Sequence, residues 1–206
     1  MEDFSRAVEI NPQYCDAYYN RSCVYFELDR FDQAIADCDR AVAVCPQVGS
    51  AYLTRGMSYA GKQNLSQALS DVSRAIELSH LDASFYYNRA VVYGQMKDLP
   101  RAVVDFDRAI ELDPGYADAY FYRGRTYFQM GERQRAQADV EKAERAYARA
   151  AAAGGHEADE AVFQRAVCLE GLDRLAEARQ LYADYLRGPH PAHAREARFR
   201  LDRLAP

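Results

Sequence analysis

Residues 83–116, ASFYYNRAVVYGQMKDLPRAVVDFDRAIELDPGY, decide the fold because the chain repeats this stretch on both sides with small changes. The shift that carries Tyr52 onto Tyr86 also places other tyrosines on one another. The first such set is Tyr18, Tyr52, Tyr86 and Tyr120, and the second is Tyr25, Tyr59, Tyr93 and Tyr127. A period of this length, about 34 residues, indicates a repeat protein in which each repeat is one supersecondary unit.

Each repeat contains two apolar stripes at helical spacing. In residues 83–116 the first stripe is Tyr86, Ala90 and Tyr93, and the second is Leu99, Ala102, Phe106 and Ala109. Spacings of three and four residues place each stripe on one face of an α-helix. Pro100 suits the first turn of the second helix, and Pro114 with Gly115 marks its end. Each repeat is therefore predicted to be a helix hairpin.

Small residues recur at three positions of the repeat, which favours close contact between helices. These positions hold Ser22, Gly56, Ala90, Gly124 and Ala166; Ala34, Ala68, Ala102, Ala136 and Ala178; and Ala7, Ala41, Ala75, Ala109 and Ala143. One hairpin alone cannot bury its stripes, whereas stacked hairpins share a continuous core. The sequence therefore predicts an all-α protein, an α-solenoid of stacked antiparallel helix hairpins.

This pattern resembles the tetratricopeptide repeat. The resemblance rests on the length of the period and on Tyr86, Ala90, Tyr93, Leu99, Ala102, Phe106, Ala109 and Pro114. It is specific from Cys15 to Tyr116, extends to Ala146, and is looser beyond that point. The resemblance implies a right-handed superhelix of helix pairs, whose concave face is lined by the first helices and binds peptide segments of partner proteins.

We expect one array over residues 1–206, with the following parts. They are the second helix of a truncated repeat (1–14), three repeats (15–48, 49–82 and 83–116), a repeat with an extended second helix (117–155), a divergent repeat (156–190) and a C-terminal capping helix (191–206). Because no first helix precedes residues 1–14, we interpret the chain as a fragment of a longer protein. A native half-repeat that caps the array is the alternative.

The second helix of the fourth repeat lacks the proline that ends the preceding repeat. Where Pro114 ended the preceding repeat, the fourth continues with strong helix formers from Ala146 to Ala153, and Gly154-Gly155 follows. We expect a helix of about 20 residues, or roughly 30 Å. The fifth repeat accordingly begins later than the period predicts. The interval from Gly124 to Ala166 is longer than the interval from Ala90 to Gly124.

Composition argues against several classes of protein. The net charge of -5 and pI of about 5.4 do not suit a nucleic-acid binder, which needs a basic face. The chain has no apolar run near the roughly 18 residues of a membrane span and no signal-peptide pattern, so we expect no membrane contact. The five cysteines, Cys15, Cys23, Cys38, Cys45 and Cys168, lack zinc or redox spacing. We interpret them as reduced thiols in a cytoplasmic protein.

An arginine occurs at one position of every repeat, and an aspartate follows sixteen residues later in four of them. The arginines are Arg21, Arg55, Arg89, Arg123 and Arg165, and the aspartates are Asp37, Asp71, Asp105 and Asp139. Antiparallel helices bring the two positions together, so each pair is predicted to be a structural ion pair. Leu181 aligns with the aspartates opposite Arg165, which leaves that arginine without its expected partner.

The resemblance also selects candidate binding residues on the first helices. The predicted partner-binding groove consists of Tyr19, Asn20, Phe26, Thr54, Met57, Tyr87, Asn88, Gln95, Phe121, Tyr122 and Arg125, flanked by Cys23, Glu27, Leu53, Val91, Phe128 and Gln129. Exposed aromatics and amides suit a peptide groove, because they provide flat anchors and hydrogen bonds to a peptide backbone. The alternative is that these aromatics fill the contact between neighbouring hairpins.

Two further kinds of site are not expected. The sequence does not favour a carboxylate clamp of the chaperone-binding type, because the lysine position of that clamp holds Asp16, Ser50, Ser84 and Asp118. The sequence has no phosphate loop, zinc spacing or paired nucleophile and base, and His190 and His193 have no acidic or thiol partner nearby in sequence. We therefore expect no enzyme activity, no cofactor and no metal.

Two functional hypotheses remain. The first is a non-catalytic scaffold that binds a peptide segment of a partner protein in its groove. The alternative is a regulatory or assembly region of a larger signalling protein or enzyme, with self-association through the interrupted repeat around Ala148 to Gly155.

Overall fold

The computed structural model of the chain describes residues 2–153, 158–188 and 193–204. Within these ranges it contains twelve α-helices and no strands. The helices are α1 (Glu2–Ile10), α2 (Cys15–Glu27), α3 (Phe31–Val44), α4 (Gly49–Gly61), α5 (Leu65–Leu78), α6 (Ala83–Gln95), α7 (Leu99–Leu112), α8 (Ala117–Gln129), α9 (Arg133–Ala153), α10 (Ala158–Gly171), α11 (Leu175–Arg187) and α12 (Ala194–Arg203).

The predicted all-α fold of antiparallel hairpins is confirmed. The first helices of the hairpins are α2, α4, α6, α8 and α10. Each of the first four packs most extensively on the helix that follows it, and α10 packs on both α9 and α11. The chain divides into two compact units, Met1–Leu112 and Asp113–Pro206. We call these the N-terminal and C-terminal units and describe each by itself.

The same turn closes every hairpin. A residue with positive φ follows the end of each first helix, and these residues are Asp29, Gln63, Lys97, Gly131 and Asp173. The next backbone N–H then donates to a carbonyl five residues earlier, as from Asp98 to Tyr93 at 2.9 Å. This bond satisfies a carbonyl that the helix end would leave unpaired. Only one of the five positions is glycine, Gly131 with φ of 81°.

In the N-terminal unit, the first helices are neighbours, with α4 between α2 and α6. The recurrent small residues lie in the core, and several are fully buried, among them Ser22, Ala68 and Ala90. Close approach explains them: a Cβ added to Gly56 would lie 2.9 Å from a Val72 methyl carbon and 3.1 Å from the Ala68 carbonyl oxygen. Cys38 is also fully buried, so it acts as a small core residue.

In the C-terminal unit, α9 has 21 residues, which confirms the predicted extension. The predicted stop at Gly154-Gly155 lies outside the described residues. The added turns carry Tyr147, which packs in one core cluster with Phe121, Ala161 and Cys168. A second cluster joins α10, α11 and α12 around Tyr182, which is fully buried. The extension therefore forms part of the support for α10.

The prediction of five reduced cysteines was wrong for two of them. Cys15 begins α2 and Cys45 follows α3, and the two are joined by a disulfide with a Cα–Cα distance of 6.1 Å. The hairpin brings these ends together, because the two helices are antiparallel and nearly equal in length. Cys23, Cys38 and Cys168 are free thiols. The cysteines therefore give no argument for a cytoplasmic location.

None of the helices in the three described ranges is long and apolar enough to cross a membrane.

Candidate functional site

The four predicted ion pairs are present, and each is bidentate. In every case the arginine donates through Nε and Nη2 to the two carboxylate oxygens of the aspartate sixteen residues later, over 2.6–2.8 Å. The aspartates are buried, and a bidentate geometry satisfies both of their oxygens. These pairs fix each first helix on its second helix, and they confirm the structural interpretation made from the spacing.

Arg55 and Arg21 also reach the preceding hairpin or helix. Arg55 donates through Nη1 to Asp39 of α3 over 2.7 Å, and Arg21 donates to the Ser5 hydroxyl of α1 over 3.1 Å. The hydrogen bond to Asp71, together with the one to Asp39, raises the pKa of Arg55 above its ordinary value. In the N-terminal unit, one guanidinium therefore joins its own hairpin to the one before it.

As predicted, Arg165 has no aspartate sixteen residues later, where Leu181 stands, but it pairs with a different acid. Its Nε donates to Oε1 of Glu144 over 2.8 Å, and Glu144 is buried at 7% exposure. Glu144 lies on α9, the helix before α10, and not on α11, where Leu181 occupies the aspartate position. The insertion in α9 changes the register, so the acid comes from the preceding hairpin.

The predicted groove residues of the N-terminal unit lie on three neighbouring helices. One repeat position holds Asn20, Thr54 and Asn88, and the position three residues on holds Cys23, Met57 and Val91. Asn20 is exposed, and Thr54 and Asn88 are half-buried. Cys23 Sγ lies 4.0 Å from Thr54 Oγ1, so these side chains meet between α2 and α4. We call Asn20, Thr54 and Asn88 the polar row.

The larger side chains predicted for the groove of this unit are each partly buried and partly exposed. Tyr19, Phe26, Met57 and Tyr87 are all half-buried. Phe26 contacts Phe31 with a ring-centroid distance of 5.9 Å, and Tyr87 contacts Phe106 at 6.0 Å. These aromatics therefore do pad helix contacts, while part of each ring remains accessible. Gln95, at the end of α6, is exposed.

In the C-terminal unit, Phe121, Tyr122 and Arg125 lie on α8. Phe121 is 9% exposed and belongs to the core cluster with Ala143 and Tyr147, so it is not the exposed aromatic that we expected. Tyr122 is half-buried and Arg125 is exposed. Phe128, which we placed beside the groove, is 67% exposed.

His193 has the acidic partner that the sequence did not suggest. Its Nε2 lies 2.9 Å from Oε2 of Glu160, and its ring stacks on Phe163 with a centroid distance of 4.7 Å. This arrangement ties the start of α12 to α10. His190 lies outside the described residues. Over residues 2–153, 158–188 and 193–204, no group of three or more His, Cys, Asp or Glu side chains could hold a metal ion.

Two structural relationships were missed from the sequence. The acid of the Arg165 pair comes before it in the chain and not sixteen residues after it, so a search at the repeat spacing could not find it. The disulfide follows from the predicted hairpin, because antiparallel helices of similar length bring Cys15 and Cys45 to the same end.

Sequence profiles described as "Tetratricopeptide repeat" match residues 15–48, 83–116, 106–138 and 128–194. Together these matches cover more than half of the chain. No curated protein sequence gives a significant match.

Solved structures share the fold at low sequence identity. One is TTC0263, a thermophilic TPR protein in Thermus thermophilus, at 20% identity and a TM-score of 0.71, covering 92% of this chain and 98% of that one. Another is YrrB, described as a TPR protein with an unusual peptide-binding site, at 18% identity, a TM-score of 0.60 and coverages of 94% and 97%. A third is the first TPR of Spaghetti (RPAP3) bound to the HSP90 peptide SRMEEVD, at 20% identity, a TM-score of 0.55 and coverages of 58% and 94%.

The repeat profiles match most of the hairpins described above, and the solved structures share their packing. The chain therefore belongs to the tetratricopeptide repeat family.

Proposed function

We propose that this chain is a non-catalytic protein-interaction scaffold that binds an extended segment of a partner protein across its first helices. The observation that carries the proposal is the polar row Asn20, Thr54 and Asn88, which occupies one repeat position on three neighbouring helices. Amide and hydroxyl groups both donate and accept hydrogen bonds, so they suit a peptide backbone of any sequence.

The spacing of the helices suits an extended chain. Packed helices lie about 8–10 Å apart, and an extended peptide rises about 3.3 Å per residue. A segment that crosses α2, α4 and α6 would therefore meet one member of the polar row about every three residues. Cys23, Met57 and Val91 run beside that row and would contact apolar side chains of the segment.

The charges of the N-terminal unit restrict the segment. Apart from the arginines of the hairpin ion pairs, the charged residues of α2, α4 and α6 are Asp16 and Glu27. No basic side chain on these helices is left to hold an acidic group. We therefore expect the segment to be uncharged where it crosses the polar row and to be held through its backbone and apolar side chains.

Two of the structural relatives support this class of function. YrrB is described as having an unusual peptide-binding site, and the Spaghetti repeat domain was solved with a bound peptide. Their likeness to this chain concerns the fold, and it does not identify which residues would bind a peptide here.

Selection from a displayed library of random decapeptides tests the proposal. Peptides enriched on the wild-type chain are measured by fluorescence anisotropy against Asn20→Ala with Thr54→Ala and Asn88→Ala. Three lost hydrogen bonds of about 0.5–1.5 kcal/mol each should weaken binding at least about tenfold. The matched control is Gln33→Ala with Ser66→Ala and Ser70→Ala, which removes exposed polar groups from α3 and α5 and should leave the affinity unchanged. Failure to enrich any peptide, or equal losses in both variants, contradicts the proposal.

A further inference from the structure

Helix α8 has a charged residue at a position that is uncharged in the first helices of the N-terminal unit. Where α2, α4 and α6 have Cys23, Met57 and Val91, α8 has Arg125. This arginine is exposed, unlike the arginines that close the hairpins. In the part of the chain that the structure describes, no carboxylate forms an ion pair with Arg125. Its charge is therefore open to a carboxylate from outside the chain.

Two aromatic rings hold the Arg125 guanidinium. Its central carbon lies 5.4 Å from the centroid of Tyr122 and 5.9 Å from that of Phe121. The rings are packed edge to face at 5.4 Å, and Phe121 is anchored in the core. Cation–π contact with a fixed ring restricts the arginine without using its N–H donors. The N–H groups of Arg125 are thus held in place and remain available to donate hydrogen bonds.

An apolar anchor and an amide lie on the same face of α8. Phe128 and Gln129 follow Arg125 by three and four residues, which places them beside it on the helix surface. Phe128 is 67% exposed, and Gln129 is also exposed. We call Tyr122, Arg125, Phe128 and Gln129 the α8 face. It combines a cation, aromatic surface and an amide within about two helical turns.

We infer that the α8 face selects a partner segment with an acidic side chain next to an apolar one. The carboxylate would accept from the Arg125 fork, and the apolar neighbour would cover Phe128. The inference rests on the proposed function, because it names the kind of segment that a first-helix face of this scaffold binds. It commits to an acidic side chain of a protein partner, and charge complementarity with Arg125 is the reason.

Four decapeptide pools test the inference. Each is random except for its two central residues, which are Glu-Leu, Gln-Leu, Lys-Leu or Glu-Ser, and all have amidated C-termini so that no terminal carboxylate contributes. Binding to the full chain is measured by fluorescence anisotropy. We expect the Glu-Leu pool to bind about fivefold more tightly than Gln-Leu, a factor within the range of an exposed ion pair. Lys-Leu and Glu-Ser should also bind less well than Glu-Leu.

Variants of the chain separate Arg125 from general electrostatics. Arg125→Gln should abolish the preference for Glu-Leu over Gln-Leu, and Arg125→Glu should reverse it in favour of Lys-Leu. Arg145→Gln is the matched control, because Arg145 is an exposed arginine on α9 of the same unit, and it should keep the wild-type preference. Circular dichroism confirms that the variants are equally helical.

The outcomes distinguish the inference from the proposed function. If the wild type binds the pools without preferring Glu-Leu, or if Arg125→Gln keeps the preference, the inference is overturned while the scaffold function stands. If no pool binds the wild type, the proposed function fails and the inference fails with it.

Discussion

Arg165 of α10 donates to Glu144 of α9 over 2.8 Å, although the repeat pattern places its partner on α11. The other four hairpins take the acid from their own second helix. Here Leu181 stands at that position, and the long helix before the hairpin supplies the carboxylate instead. Helix α10 thus also uses an arginine–carboxylate pair, but it pairs with the helix before it and not with the helix after it.

Glu144→Gln should destabilise the chain by about 1–3 kcal/mol. This is below the usual cost of breaking a buried pair, because the Arg165 side chain is 32% exposed and water screens part of the loss. Chemical denaturation followed by circular dichroism measures the effect. Glu141→Gln, on a more exposed face of α9, should cost less than about 0.5 kcal/mol. Equal losses in the two variants would argue against the Arg165–Glu144 pair.

Loss of the paired aspartate should destabilise neighbouring hairpins to different extents. Asp71→Asn leaves Arg55 with a second carboxylate, Asp39 at 2.7 Å, whereas Asp105→Asn removes the carboxylate that pairs with Arg89. We expect Asp105→Asn to cost about 1–2 kcal/mol more, since it leaves a half-buried charge without compensation.

Thermal unfolding of the two variants measures that difference. Adding Asp39→Asn to Asp71→Asn should bring the loss close to that of Asp105→Asn. If Asp71→Asn is already as damaging as Asp105→Asn, the contact between Arg55 and Asp39 contributes nothing.

The hairpin turns offer a stabilising substitution. Lys97 has φ of 63°, a conformation that costs a side-chain-bearing residue about 1–2 kcal/mol. Lys97→Gly should therefore raise the free energy of unfolding by about 0.5–1 kcal/mol after the entropy of glycine is subtracted. Gly131→Ala is the converse test: no atom lies within 4 Å of an added Cβ, so any loss reports backbone strain. No change in either variant would contradict the assigned turn conformation.

The disulfide predicts a thiol count. Protein prepared in air and unfolded without reductant should show three reactive thiols, because Cys15 and Cys45 are bonded. In the folded protein at pH 8, Cys23 should react first, because burial raises the pKa of the Cys38 and Cys168 thiols to about 12. Five reactive thiols in the unfolded sample would show that the disulfide is absent.

Replacing the bonded pair should lower stability. Closing a loop of about 30 residues stabilises a folded chain by up to about 4 kcal/mol on the chain-entropy account. Cys15→Ser with Cys45→Ser should therefore unfold at a lower temperature than the wild type in the absence of reductant. In the presence of a dithiol reductant, the two proteins should unfold at similar temperatures.

The sequence was sufficient for the hairpins and for four ion pairs, because a fixed period carries each spacing from one repeat to the next. The sequence was not sufficient around α9 and α10, where added residues interrupt the period. Glu144 could not be matched with Arg165, since the residues added before Ala166 change which part of α9 faces α10. The burial of Phe121 was also missed. Phe121 packs in one core cluster with Tyr147, which lies in the added turns of α9.

Exposure of the other aromatics was equally hard to predict. Tyr87 and Phe26 satisfy the repeat pattern of a groove residue, and both also contact rings of an adjoining helix. A spacing rule gives the face of the helix, but the depth of a ring depends on the size of its neighbours. Polar residues such as Asn20 were easier to place, because an amide without a buried partner stays at the surface.

The most direct test of the central claim is nuclear magnetic resonance of the wild-type chain with a peptide selected as described above. The side-chain amide signals of Asn20, Asn88 and Gln95 report the first helices of the N-terminal unit, and those of Gln33 and Gln67 report the second helices. If a partner segment crosses the polar row, the Asn20 and Asn88 signals shift on titration and the Gln33 and Gln67 signals do not. Shifts confined to Gln33 and Gln67 would contradict the claim.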